Sequence, residues 1–334
     1  MVLIVVTSLI LGHTNHYNTI HLPLISPTIL YKHCYGKYAI AAVNVFTMEQ
    51  VLALFEAAQL ANSPIIVQVT PVARNYANPD MMLSMIHAAA RIYPQTIYAI
   101  HLDHGIEAHA INAIESGYTS VMIDASHENF ETNVSRTKAI VDIAHTKGVQ
   151  VEAELGVLSG VEDDINIDAA HSKFTNPKQA KEFVQLTNCD SLAIAIGTSH
   201  GAYKFEGEAF LRLDILAAIQ KELPNYPLVL HGSSSVKKEI IDSINEHGGQ
   251  LNQNANGVSN DDIKKAIPLG ICKINIATDL RLLWTKVHRA FFYEQPALFD
   301  PMIPGKEYIK QYKEFMLERF ELLNSIGQSK NIII

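Results

Sequence analysis

Three histidines lie in settings where an imidazole could do chemistry: Asp103-His104-Gly105, Ser199-His200-Gly201 and His231-Gly232-Ser233. Three imidazoles around one divalent cation, with a fourth position open to substrate, make a catalytic metal site. Each histidine taken singly reads better as a satisfied core or rim residue, and ligands this far apart in sequence are only moderately specific. Carboxylates that could complete such a site or move protons stand at Asp103, Asp124, Glu152 and Glu154. The segments Gly197-Thr198-Ser199-His200-Gly201 and His231-Gly232-Ser233-Ser234-Ser235 are rich in small residues. Their exposed backbone N–H groups could cradle a phosphate, and Lys204 and Arg281 could supply countercharge. A Gly-Ser cluster in isolation is ordinary turn chemistry.

These residues need elements to bring them together. From Tyr38 onward, short apolar runs alternate with stretches of helical spacing. The runs are Tyr38–Val45, Pro64–Thr70, Ile97–Asp103, Thr119–Ile123, Val149–Leu155, Ser191–Ile196, Leu228–Leu230 and Cys272–Ile276. Nearly continuous apolar runs are what a parallel sheet covered on both faces requires. Between them, Met48, Val51, Leu52, Phe55 and Ala58 recur at helical spacing, as do Leu213, Leu216 and Ala217. Gly36, Gly117, Gly148 and Gly270 precede strands, where glycine suits the left-handed turn that ends a helix.

Eight strands alternating with helices predict an α/β fold, a (β/α)8 barrel in one domain. An open doubly wound sheet is the rival, but Asn44-Val45-Phe46-Thr47 replaces the glycine-rich turn expected after its first strand. The segment 304–327 predicts one further helix outside the barrel, and 252–260 a surface loop. Barrel enzymes place their chemistry at the C-terminal strand ends. Here those ends carry Asn44, Thr70, Asp103 with His104, Asp124, Glu152 with Glu154, His200, His231 and Asn275. Polar residues that merely begin loops account for Asn44 and Thr70. They account poorly for three histidines at the ends of strands three, six and seven.

Composition excludes several other classes. The chain has 334 residues, of which 34 are acidic and 26 basic, for a net charge of −8. A chain this acidic presents no broad field for nucleic acid. Three cysteines, Cys34, Cys189 and Cys272, are an odd, widely spaced set that supports neither a disulfide framework nor a Cys-x-x-Cys metal site. The apolar run Met1–Gly12 is too short to span a bilayer and lacks the basic flank and cleavage site of a secretory signal. Residues 1–21 are therefore expected to be an N-terminal extension, and 22–334 the barrel. A secreted or surface form rests on that apolar run alone, and mass spectrometry of the mature N-terminus would test it.

Five ordered motifs make the chain recognisable: His101-Leu102-Asp103-His104-Gly105, Met122-Ile123-Asp124-Ala125-Ser126-His127, Val151-Glu152-Ala153-Glu154-Leu155-Gly156, Gly197-Thr198-Ser199-His200-Gly201-Ala202-Tyr203-Lys204 and His231-Gly232-Ser233-Ser234. Together they resemble the zinc-dependent class II fructose-bisphosphate aldolases, from about Leu22 to the C-terminal helix. The resemblance implies His104, His200 and His231 as zinc ligands, with Glu154 and Asp124 as carboxylates of the metal site. It implies Asp103 as catalytic acid/base, and Glu162 as a mobile-loop glutamate that moves a proton at carbon. It places Asn44, Thr70, Gly201, Lys204, Gly232, Ser233, Asn275, Thr278 and Arg281 in the substrate and phosphate subsites. It further implies one catalytic Zn2+, a second divalent position, a monovalent cation, a small sugar-phosphate substrate and a homodimer or homotetramer. The expected setting is the cytoplasm, away from membrane and nucleic acid.

Two features complicate that resemblance. Ala277 stands where the fructose enzymes usually carry aspartate, which is more like the tagatose-bisphosphate branch; Arg281 matches the arginine that grips the far phosphate in the fructose branch. Fructose 1,6-bisphosphate is the first expectation and tagatose 1,6-bisphosphate the second. A Schiff-base aldolase would need a strand-end lysine, for which only Lys273 offers itself. A non-catalytic metal- or sugar-phosphate-binding barrel is the alternative of another class, and the presence of Asp103 and Glu162 beside the histidines argues against it.

Overall fold

The computed structural model describes residues 23–157, 159–162, 165–167, 174–200, 211–252 and 257–333, with the backbone alone at 159–162, 165–167 and 199–200. The expected N-terminal extension, 1–21, lies outside the described residues.

The strands are β1 (Ile40–Asn44), β2 (Ile65–Val69), β3 (Tyr98–Gly105), β4 (Ser120–Ile123), β5 (Gln150–Leu155), β6 (Ser159–Glu162), β7 (Ile165–Ile167), β8 (Ser191–Ile194), β9 (Ser199–His200), β10 (Leu228–Leu230) and β11 (Ile271–Ile276). Eight of them close into a parallel barrel in the order β1-β11-β10-β8-β5-β4-β3-β2. These are the eight apolar runs, in sequence order around the ring. Alternate residues face two different interiors. Val43, Val67, Ile100, Val121, Val151 and Leu192 pack outward under the helices. Ile40, Ala42, Ile66 and Ala99 join a second apolar cluster with the helix Pro27–Cys34.

Local chemistry sets the turns. Gly36, Gly117, Gly148 and Gly270 all take positive φ before their strands, the conformation that costs glycine least. The tail helix, Met302–Leu322, packs on the helix Met48–Ala61. Gln50 donates to the Tyr308 hydroxyl at 2.9 Å, and that hydroxyl donates to Leu280 O at 3.1 Å. The tail thus braces the helices that follow β1 and β11, two of the strands that carry the site. The segment expected to be a loop around Glu162 instead carries a short hairpin, β6 antiparallel to β7. Parallel pairing of β6 with β9 completes a small sheet at the C-terminal rim of the barrel.

Candidate active site

A β-bulge delivers two adjacent residues to one place. The β3–β4 register runs His101↔Ser120 and Leu102↔Val121, then resumes at Gly105↔Ile123, so β3 carries one extra residue. In a regular strand Asp103 and His104 would point to opposite faces. Here His104 takes φ +47°, which is uncommon for a residue other than glycine. As a result, ligand atoms of Asp103, His104 and His231 lie within 4.8 Å of one another. Gly105 completes the bulge: a Cβ there would meet Leu102 Cδ2 at 2.6 Å and Met122 O at 3.1 Å.

Both imidazoles meet carboxylates on their far sides. His104 Nδ1 is 2.8 Å from Asp124 Oδ2. The other oxygen of Asp124 accepts from Ser126 N at 3.1 Å and Ser126 Oγ at 2.8 Å. Burial alone would raise the Asp124 pKa, but hydrogen bonds from His104 and Ser126 outweigh it and hold the group well below the usual carboxylate range. His231 Nε2 is 2.9 Å from Glu152 Oε1. A carboxylate accepts and does not donate, so His104 carries its proton on Nδ1 and His231 on Nε2. The remaining nitrogens, His104 Nε2 and His231 Nδ1, converge at 3.0 Å.

Two imidazole lone pairs at that distance suit a shared cation, since nitrogen ligands about 2.0–2.1 Å from a tetrahedral zinc stand roughly 3.3 Å apart. The donor set therefore fits a divalent metal. A second grouping, His104, Asp124 and Glu154, also brings its ligand atoms within 4.8 Å. Of the third expected histidine, His200, only the backbone is described: it sits in β9, paired opposite Gly160.

Asp103 is fully buried and held from two sides. Asn44 Nδ2 donates to Oδ2 at 2.8 Å and Asn275 Nδ2 to Oδ1 at 3.3 Å. Gln68 in turn donates to Asn44 Oδ1 at 3.0 Å. Asn275 Oδ1 is buried with no hydrogen-bond partner among the described residues, so it offers an acceptor to an incoming group. Ser233 Oγ donates to Asn275 O at 2.9 Å, tying the loop after β10 to the end of β11. Gly232, between His231 and Ser233, takes φ +61°.

The other expected residues fall at varying distances from this cluster. Arg281 lies over the Phe46 ring at 4.6 Å, which places the guanidinium beside the turn that follows Asn44. Thr70 is the N-cap of the helix Pro71–Ala77, accepting from Ala73 N at 3.2 Å. Thr278 is the first residue of the helix Thr278–Glu294. Glu162 is the last residue of β6, two positions beyond the residue paired with His200. Gly201 and Lys204 lie outside the described residues.

Sequence reasoning named Glu152 and Lys273 singly and missed the support they form together beneath the site. Lys273 Nζ donates to both Glu152 oxygens, at 2.9 and 2.8 Å, and lies 3.4 Å from His101 Nε2. An ammonium held by this carboxylate and imidazole is no Schiff-base nucleophile. Burial first, then the Lys273 charge, pushes the His101 pKa down to about 3. Burial would raise Glu152, but Lys273, His101 and His231 together keep it well below its ordinary value. Asp279, also passed over, accepts from Ser235 N at 2.9 Å and Val236 N at 2.8 Å. It anchors a loop in which Val236 is held at φ +45°. The available signal was two-residue spacing: His101 with Asp103, Glu152 with Glu154 and Lys273 with Asn275 share a face of their strands.

A parallel barrel with imidazoles and carboxylates converging at its C-terminal rim defines a metal-assisted barrel enzyme. The chain belongs to the class-II fructose-bisphosphate aldolase family, whose profile matches residues 27–328. It is 42% identical over 296 residues to a fructose-bisphosphate aldolase of Thermus caldophilus, covering 87% of this chain and 95% of that one. A fructose-bisphosphate aldolase of Giardia intestinalis is also 42% identical, over 298 residues, with 88% and 90% covered. Among solved structures, the YdjI aldolase of Escherichia coli K12 superposes with a TM-score of 0.74 at 32% identity, covering 92% of this chain and 99% of that one.

Proposed function

We propose that this protein catalyses the reversible aldol cleavage of D-fructose 1,6-bisphosphate to dihydroxyacetone phosphate and glyceraldehyde 3-phosphate, the glycolytic and gluconeogenic reaction. The observation that carries the reading is the meeting of Asp103, His104 and His231 at one point of the barrel rim, in a chain of this metal-dependent family. His104, His200 and His231 hold the catalytic Zn2+, with Glu154 at a second divalent position. Asp124 serves the metal mainly by orienting His104. When bound, the cation acts as a Lewis acid toward the negative charge that develops at the ketone oxygen.

The chain's own groups do the rest. Asp103 takes the C4 hydroxyl proton as the C3–C4 bond breaks, and returns it in condensation. Glu162 delivers a proton to C3 before dihydroxyacetone phosphate leaves. Gly201, Lys204, Gly232 and Ser233 bind its phosphate, with a monovalent cation beside them. Arg281 binds the far phosphate, and Asn44, Thr70, Asn275 and Thr278 line the remaining substrate contacts. Residues 22–334 form the catalytic unit and 1–21 an extension, in a cytoplasmic homodimer or homotetramer. Among the described residues no helix is long and apolar enough to cross a membrane.

Ala277 favours a second activity. It is buried at the start of the helix Thr278–Glu294 and offers a methyl group where a carboxylate would bond a substrate hydroxyl. Losing one such bond costs on the order of 1 kcal/mol, which weakens discrimination between C4 epimers. Both bisphosphates are therefore cleaved, fructose the faster. Steady-state kinetics of the zinc-loaded protein on the two sugars test this, and Ala277→Asp should sharpen the preference. A higher kcat/KM for tagatose 1,6-bisphosphate would reverse the assignment.

A further inference from the structure

The barrel lumen beneath the site holds a layer of polar side chains where bulky apolar residues usually sit. Glu152, His231 and Lys273 are fully buried there, together with His101. A buried ion pair is seldom a gain in stability, because desolvating two charges offsets their attraction, and apolar residues of similar volume often do as well or better. The Glu152–Lys273 pair thus needs an explanation other than holding the barrel closed. Its contacts supply one.

Glu152 Oε1 receives His231 Nε2 at 2.9 Å. Both Glu152 oxygens receive Lys273 Nζ, at 2.9 and 2.8 Å. The ammonium also meets His101 Nε2 at 3.4 Å, and His101 Nδ1 lies 2.8 Å from Ser120 Oγ. An ammonium has only donors and a carboxylate only acceptors, so each proton in this chain has one place. His101 accepts at Nε2 and donates from Nδ1. Glu152 is fixed from one side by Lys273, and His231 donates to it from Nε2. His231 then has one tautomer, with Nδ1 facing both His104 Nε2 at 3.0 Å and Asn275 Nδ2 at 3.3 Å.

We infer that Glu152, held in place by Lys273, is a positioning residue that sets the ring orientation of His231 for the cation. This deepens the aldolase reading and rests on its assignment of His231 as a ligand. Outer carboxylates of this kind commonly change metal affinity about 10–100-fold when removed. The pairing was invisible to motif reasoning, since Glu152 and Lys273 lie on strands far apart in sequence.

The test uses paired substitutions, so that no buried charge is left alone. Glu152→Gln with Lys273→Met keeps a carbonyl that accepts from His231 Nε2; Glu152→Leu with Lys273→Met does not. Full-length zinc-loaded proteins are titrated with a chelator of known affinity, and folding of the stripped proteins is checked by circular dichroism. The Leu pair should bind zinc about 10–100-fold more weakly than wild type, and the Gln pair should recover most of the loss. Cobalt-loaded samples should show altered visible bands in the Leu pair only. Wild-type zinc affinity in the Leu pair would overturn the inference, and so would equal weakening in both pairs. Failure of both stripped pairs to fold would also overturn it, by assigning the charges to the barrel itself. Chelator competition needs no sugar, so this pattern supports the inference even in a protein that cleaves neither bisphosphate, a result that would instead defeat the aldolase reading.

Discussion

Asp103→Asn separates chemistry from structure at the proposed acid/base. The carboxylate accepts from Asn44 Nδ2 at 2.8 Å and from Asn275 Nδ2 at 3.3 Å. Gln68 donates to Asn44 Oδ1, so the Asn44 amide cannot turn over without losing that bond. The new amide has only one oxygen, and it will face the shorter contact, from Asn44. Its NH2 group then meets the NH2 of Asn275, and one bond to a charged acceptor is lost. Such a bond is worth about 1.5–3 kcal/mol. A domain of ordinary stability, about 5–15 kcal/mol, stays almost wholly folded at 25 °C after losing roughly 2. Loss of a general acid/base costs about 10²–10⁴ in rate, or roughly 2.7–5.5 kcal/mol in the barrier. The activity loss should therefore far exceed any unfolded fraction. Release of triose phosphates at saturating fructose 1,6-bisphosphate gives kcat, with zinc per chain and a urea melt on the same sample. A variant with native zinc content that keeps a tenth or more of wild-type kcat would place the proton transfer elsewhere.

Further outcomes follow from the same geometry. Exhaustive chelation should abolish cleavage and added zinc restore it, while His231→Ala should lose zinc retention along with turnover; full activity in protein shown to be metal-free would defeat the metal assignment. Glu162→Ala should slow proton exchange at C3 of dihydroxyacetone phosphate more than carbon–carbon cleavage, read by release of tritium from labelled substrate; unchanged exchange would return Glu162 to a structural place in β6. His101 provides a pH signature. With its folded pKa near 3 and an unfolded value near 6.5, the unfolded chain binds a proton first as pH falls. Its stabilising contribution is complete above pH 6.5 and declines between 6.5 and 3, at up to about 1.4 kcal/mol per pH unit. From pH 7 to pH 5, wild type should lose about 2 kcal/mol more stability than His101→Gln in urea titrations; equal losses would mean that His101 is not held neutral.

What could be read from the chain, and what could not, divides by the range of the interaction. All eight barrel strands lie within a few residues of their apolar runs, because a strand buried on both faces leaves little sequence freedom. The four glycines before strands take the positive φ expected of them, since that requirement is local. The tail helix ends at Leu322 rather than reaching 327, where Asn324 turns at φ +59°; asparagine can end a helix as glycine does. The segment around Glu162 was expected to be a loop, because the strands Ser159–Glu162 and Ile165–Ile167 are only four and three residues long and the first pairs with the distant Ser199–His200.

The site shows the same division. Rim positions of Asn44, Asp103, His104, His231 and Asn275 followed from strand ends alone, and the structure joins them through direct contacts, with Asn275 Nδ2 touching both Asp103 Oδ1 and His231 Nδ1 at 3.3 Å. Their orientation did not follow. Strict alternation sends His104 away from Asp103, and only the extra residue in β3 reverses that. Likewise, a lysine and a glutamate inside apolar strands read individually as anomalies or as nucleophile candidates. Their meaning appears only when β5 and β11 are both closed into the ring and the two charges meet at 2.8 Å beneath His231. A buried charge in such a strand is costly unless a partner waits across the lumen, so polar breaks in apolar runs of a closed barrel are best read in pairs.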